Sequence, residues 1–201
     1  MMISDRLSVV LPANFVPGPT QGDWTYKDYA GLPEDEQRYE VVDGVLCMSL
    51  APNMDHQGSA LRIAYYLLTY IEFAGLGRVF TSPADVELSH KDVVQPDVFV
   101  VLNEHLGRLF KSHVIGAPDL VVEVSSPSTV RHDLTGKLLA YARAGVPEYW
   151  VVNPDAETIE VLLLENGAYS SLGVFYGRSV LPSRVAADMP VKVEQFFVKV
   201  P

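Results

Sequence analysis

Two short runs constrain this chain more than any other feature: residues 97–102, Asp-Val-Phe-Val-Val-Leu, and Leu120–Val124, Leu-Val-Val-Glu-Val. Neither alternates between apolar and polar positions, so each reads as a strand covered on both faces, and that requires layers packed on either side of a sheet. Two helical patterns can supply those layers. From Asn53 or Asp55 to Phe73, the positions Leu61, Ala64, Tyr65, Leu68 and Ile71 recur at three- and four-residue steps, with Gly75 as a stop. Over Asp133–Ala144, Leu134, Leu138, Tyr141 and Ala142 share one side, and Gly145 lies just past the end.

Around these lie weaker signals. Residues 24–30 suggest a short helical piece. Asp43-Gly44, between the β-prone stretches 39–42 and 45–46, reads as a hairpin turn, as does Asn166-Gly167 between 158–164 and 168–171. Further strands are expected at 79–82, 85–88 and Glu148–Asn153, and a short helix or strand at 190–200. The sum is an α/β domain with a central mixed β-sheet flanked by α-helices. A chain of 201 residues suits one core. Residues 1–38 read as a Pro- and Gly-rich N-terminal arm with a short helix, and 39–201 as the domain proper.

Composition narrows the function. No apolar run approaches a membrane span, and the first 19 residues lack the pattern of a signal peptide, so a cytoplasmic protein is expected. The single cysteine, Cys47, excludes an internal disulfide framework or a cysteine-built zinc site and reads as a small buried hydrophobe. Lys and Arg total 15 against 25 Asp and Glu, a formal charge of −10, which argues against coating nucleic acid through bulk charge.

Four charged residues stand in or beside apolar elements, where a charge is costly unless something binds it. They are Glu40, Asp97, Glu123 and Lys137. If the strands of Asp97 and Glu123 are neighbours, their carboxylates converge, and such oxygens at a sheet edge are the minimum kit for Mg²⁺ or a similar hard cation. Bound there, the cation polarises a phosphodiester and acidifies water. Lys137 is one turn from Asp133 and either pairs with it or reaches the site.

Five blocks, in order, carry a resemblance. They are Tyr39-Glu40-Val41-Val42-Asp43-Gly44, then Gln95-Pro96-Asp97-Val98, then the stretch from Pro118-Asp119 through Glu123-Val124-Ser125-Ser126-Pro127-Ser128-Thr129. Asp133 with Lys137 and Tyr141 follows, and last Gly145-Val146-Pro147-Glu148-Tyr149-Trp150-Val151-Val152-Asn153-Pro154. Together they resemble the Uma2 group of endonucleases in the restriction-endonuclease-like, PD-(D/E)XK superfamily. The resemblance implies that Asp97 and Glu123 are metal-binding and catalytic, that Glu40 and the main-chain carbonyl of Val124 are further ligands, and that the metal is Mg²⁺ or Mn²⁺. The parent motif has its lysine two residues after the second acid, where this chain has Ser125; the resemblance implies that Lys137 has taken that role.

Plainer readings compete. Asp97 after Pro96 also fits a turn cap, Glu40 an exposed edge, and Lys137 a surface partner of Asp133. His56 and Gln57 stand in the first turn of the long helix, where a lone histidine is usually a solvated cap; His113 and His132 read as surface residues, and Tyr149 with Trp150 as core. Residues 105–113 contain no acid and join the two central strands, so Arg108 and Lys111, with Arg131, are candidates for contact with DNA phosphates. A Mg²⁺-dependent endonuclease acting on DNA, as a homodimer wrapped by its arms, is the first reading. A catalytically silent nuclease-fold module and a metal-dependent hydrolase of small phosphate esters are the alternatives.

Overall fold

A computed structural model of the protein describes residues 10–33, 37–49, 51–125 and 133–197. Along the chain run β1 (Val10–Pro12), α1 (Tyr26–Tyr29), β2 (Arg38–Val42), β3 (Val45–Ser49), α2 (Met54–Leu67), β4 (Gly77–Thr81), β5 (Val86–Ser89), β6 (Asp92–Val94) and β7 (Val98–Leu102). After them come β8 (Val114–Ile115), β9 (Leu120–Val124), α3 (Asp133–Ala144), β10 (Glu148–Asn153), β11 (Thr158–Glu165) and β12 (Ala168–Tyr176). Among the described residues, no helix is long and apolar enough to cross a membrane.

The fold is mixed α/β, as the patterns predict, but its strands divide between two six-stranded sheets, ordered β1-β3-β2-β6-β5-β8 and β12-β11-β10-β9-β7-β4. The chain passes from the first to the second at Gln95-Pro96-Asp97. Pro96 has no N–H to continue a ladder, so β6 ends in one sheet and β7 begins in the other. Within the second sheet β9 lies parallel to β10 and antiparallel to β7. Leu120, Val122 and Val124 join the core under α2, while Val121 joins the core on the opposite face with Tyr141 of α3, which accounts for the unbroken apolar character of β9.

Three local outcomes differ from expectation. The buried side of α2 is Ser59, Ala60, Ile63, Ala64 and Leu67, continued by Ile71, whereas Leu61 and Tyr65 are 71% and 60% exposed. Two overlapping stripes satisfy a 3.6-residue period, and the one with the smaller side chains is the one that approaches the sheet. The opening segment is more than an arm: Val10–Pro12 pairs with β3, and Ala13 and Trp24 are buried in a third core with Leu46 and Val93. β12 runs five residues beyond the expected end, with Gly173 absorbing a register shift. Tyr149 and Trp150 are fully buried as read, and Cys47 is half-buried.

The β2–β3 turn holds the third core together. Asp43 and Gly44 both have positive φ, 52° and 71°, as a tight hairpin of this kind requires. The Gly44 carbonyl also accepts the N–H groups of Gly22 and Trp24 at 2.8 and 3.0 Å. A Cβ on Gly44 would lie 2.2 Å from the Gly22 carbonyl oxygen, whereas one on Gly167, at φ 81°, meets nothing within 4 Å. Gly44→Ala is therefore expected to cost about 3 kcal/mol, backbone strain plus the clash, against about 1 kcal/mol for Gly167→Ala, strain alone; urea midpoints compare them.

Candidate active site

The antiparallel register sets Val98 opposite Val122. Continued by one residue it sets Asp97 opposite Glu123, and by two, Pro96 opposite Val124. The Asp97 carbonyl accepts from Ser82 N–H on the β4 side, and Ser125 N–H donates to Val152 on the β10 side. Asp97 and Glu123 thus take the kind of facing position that shares no ladder bonds, where opposed side chains stand closest and on one face. Where Pro96 would have completed the ladder it has no N–H for the Val124 carbonyl, and Val124 N–H is instead taken by Asp97 Oδ2 at 2.8 Å.

The first sheet brings Glu40, and α3 brings Lys137. Glu40 is 1% exposed; its Oε1 accepts from Gln95 N–H at 2.7 Å and from Lys137 Nζ at 2.8 Å. Lys137 also donates to Glu123 Oε1 at 3.1 Å, and the Tyr141 hydroxyl, one turn further on, donates to that same oxygen at 2.6 Å. Arg38 closes the group, with Nη2 on the Gln95 carbonyl and Nη1 3.5 Å from Asp97 Oδ1. His56 Nε2 lies 3.2 Å from Asp97 Oδ2. Three carboxylates thus face two fixed cations, Lys137 and Arg38, with the His56 ring beside Asp97.

The electrostatics follow from that imbalance. Burial alone would raise the Asp97 carboxyl, but His56, Arg38 and the Val124 N–H outweigh it and hold it below the usual carboxylate range. Burial pushes Glu123 up, and Lys137 does not fully offset it because Asp97 and Glu40 add repulsion. Burial opposes the Lys137 charge too, yet Glu123 and Glu40 raise its pKa above that of an ordinary lysine, so it is an ammonium at any physiological pH. Glu123 stays raised beside a cation because that cation is shared between two carboxylates.

The donor set fits a hard divalent cation: every candidate atom is an oxygen, the carboxylates outnumber the fixed cations, and Glu40 Oε2 is buried without a hydrogen-bond partner among the described residues. The three carboxylates are not drawn as tightly together as Glu104, His105 and Asp119, whose ligand atoms lie within 4.8 Å of one another. That second group sits at the opposite end of β7 and β9. Both Asp119 oxygens are engaged there, by His105 Nδ1 at 2.7 Å and Leu102 N–H at 2.7 Å, so Asp119 ties off strand ends.

Asp97, Glu123, Glu40 and Lys137 are thus brought together, with the Val124 main chain beside them. Arg108 is not: it follows β7 at the far rim, where its guanidinium donates to the Ala117 carbonyl at 2.5 Å. Lys111 lies exposed in the same connection, and Arg131 and His132 fall outside the described residues. His113 is no surface residue; it stacks on Tyr26, with Nδ1 3.1 Å from the Tyr26 hydroxyl. Sequence reading set aside His56 and did not single out Arg38, Gln95 or the hydroxyl of Tyr141. A cleft of about 480 Å³ opens on Asp97, lined also by Gln37, Arg38, His56, Gln57 and Gln95.

Comparisons with known proteins agree with this architecture. The crystal structure of a putative nuclease belonging to DUF820 from Anabaena variabilis superposes with a TM-score of 0.72 at 20% identity, covering 86% of this chain and 97% of that one. No curated protein matches the chain. The Uma2 family, described as "Putative restriction endonuclease", matches residues 26–191. By that match, over most of its length and across every element that builds the carboxylate cluster, the chain belongs to the Uma2 family.

Proposed function

We propose that the protein is a divalent-metal-dependent endonuclease of the PD-(D/E)XK type that hydrolyses DNA phosphodiester bonds. The supporting observation is the buried group in which Glu40 and Glu123 share Lys137 while Asp97 faces Glu123 across the sheet. Asp97 and Glu123 would hold Mg²⁺ or Mn²⁺, with Glu40 Oε2 and the Val124 carbonyl as further oxygens, and the ion would supply Lewis-acid stabilisation and an acidified water. Lys137 is held by two carboxylates and stays protonated. It therefore serves as a fixed donor to the attacking water or to charge developing on the phosphoryl oxygens, and not as a base. Tyr141 orients Glu123 through its 2.6 Å hydrogen bond. Arg38 and His56 keep Asp97 ionised.

Cytoplasmic residence goes with this reading, and a homodimer enters it where both strands of a duplex are cut. The test is cleavage of plasmid, linear duplex and single-stranded DNA with Mg²⁺ and Mn²⁺, beside Asp97→Asn. Cleavage that needs the ion and is lost in the variant is expected. Turnover of a small phosphate ester with every DNA form intact would favour the hydrolase reading instead, and inertness towards all of them the silent module.

A further inference from the structure

The cleft above Asp97 is a second site joined to the carboxylate cluster, and its chemistry differs from that of the cluster. Three of its lining residues each hold a buried polar atom with no hydrogen-bond partner among the described residues: Arg38 Nε, His56 Nδ1 and Gln95 Oε1. Gln95, 9% exposed, cannot relieve its orphan by flipping its amide. Its Nε2 donates to the Tyr29 hydroxyl at 3.0 Å and to Asp85 Oδ1 at 2.8 Å, while Tyr29 donates to Asp85 at 2.7 Å, so the nitrogen must be where it is and the oxygen faces away unpaired. Buried orphans of this kind are rare and call for a missing partner. Gln57 stands exposed at the rim, and Asp97 is the only acid in the lining among the described residues, in a chain of net charge −10.

Resting on the nuclease reading, we infer that this cleft seats a single unpaired nucleotide next to the scissile phosphate, so that the enzyme acts on single-stranded or opened DNA in preference to intact duplex. The carboxylates are recessed: Asp97 and Glu123 are 6% exposed and Glu40 1%, so a phosphate must descend below the rim to meet them. A cleft of about 480 Å³ takes one small ligand and not a paired helix. Nor does the surface charge supply the counterion release by which proteins hold duplex through its phosphates. Affinity must then come from hydrogen bonds to base edges. Primary amides offer a donor and an acceptor side by side, matching a base edge that in a duplex is already occupied.

Fluorescence anisotropy tests this with a labelled 12-nucleotide strand and the same sequence as duplex. Both are bound in Ca²⁺, which suits the carboxylate oxygens, and their integrity is followed on a gel. The single strand is expected to bind at least about tenfold tighter, with a shallow salt slope of about −0.7 to −1.4 for one or two phosphate contacts. Gln57→Ala, at an exposed position, is expected to weaken single-strand binding about tenfold, the worth of one amide–base pair, and to leave the Mn²⁺-induced rise in melting temperature unchanged. Duplex binding as tight as single-strand binding, or a Gln57→Ala protein that binds normally, overturns the inference. The nuclease reading fails separately, by absence of the Mn²⁺ shift and of ion-dependent cleavage.

Discussion

Glu123→Gln is expected to melt higher than the parent at pH 7 and to cut no DNA. The parent holds three carboxylates against Lys137 and Arg38, and burial raises the pKa of Glu123. Gln keeps an acceptor for the Lys137 and Tyr141 hydrogen bonds and brings the cluster to neutrality. A gain of about 1 kcal/mol is in the range of such repairs of functionally costly residues. The sign with pH is fixed. Glu123's folded pKa is raised, so its ionisation subtracts stability as pH climbs from about 4.3, the value of an unfolded glutamate, through the folded value. The amide never pays that penalty, so its advantage is greatest above the folded value and closes as pH falls through it towards about 4.3. Cleavage should drop about 10³-fold or more, comparable to the loss of a principal electrostatic group. Melting curves at several pH values and a nicking assay read both halves.

Lys137→Met is expected to be the most damaging substitution for the fold itself. It leaves three buried carboxylates facing only Arg38, and removing one partner of a buried ion pair costs about 3–5 kcal/mol. Two dependences separate this from simple misfolding. Acid narrows the deficit, because Glu123 takes up a proton first, its pKa already raised. Mn²⁺ narrows it too, since a cation that binds the folded state alone stabilises by mass action. Urea midpoints at pH 5 and 7, with and without Mn²⁺, measure each. Lys137→Arg is expected to recover stability without recovering cleavage, because a planar fork does not reproduce a compact ammonium between two carboxylates.

Much of the fold was legible where local pattern and burial agree. β9, β10 and α3 carry the bounds read from sequence, since each has turn or cap signals at its ends and an apolar face or faces between. β6 left no signal: its three residues offer only Val93 and Val94 after a turn. His56 reads as a solvated cap because a lone histidine in a first turn shows no partner in the sequence. Counted from Leu61 and Tyr65 it falls on the exposed side of α2, but counted from Ala60, Ile63 and Leu67 it lies on the buried side, above Asp97. Arg108 was misplaced for a geometric reason. It ends the short 3₁₀ helix, Asn103–Arg108, that follows β7, and by then the five extended residues of β7 have carried the chain about 17 Å from Asp97. Arg38 had no signature, because a strand's first residue tells nothing of which sheet crosses beneath it.

We propose that Asp97, Glu123 and Glu40 form one cation site at the rim where the two sheets meet. Calorimetric titration of Mn²⁺ into the metal-free protein and into Asp97→Asn tests it most directly. Saturable binding in the parent and its loss in the variant are predicted. Equal binding in both would place the ion elsewhere, the Glu104–His105–Asp119 rim being the nearest chemical rival, and would contradict the account.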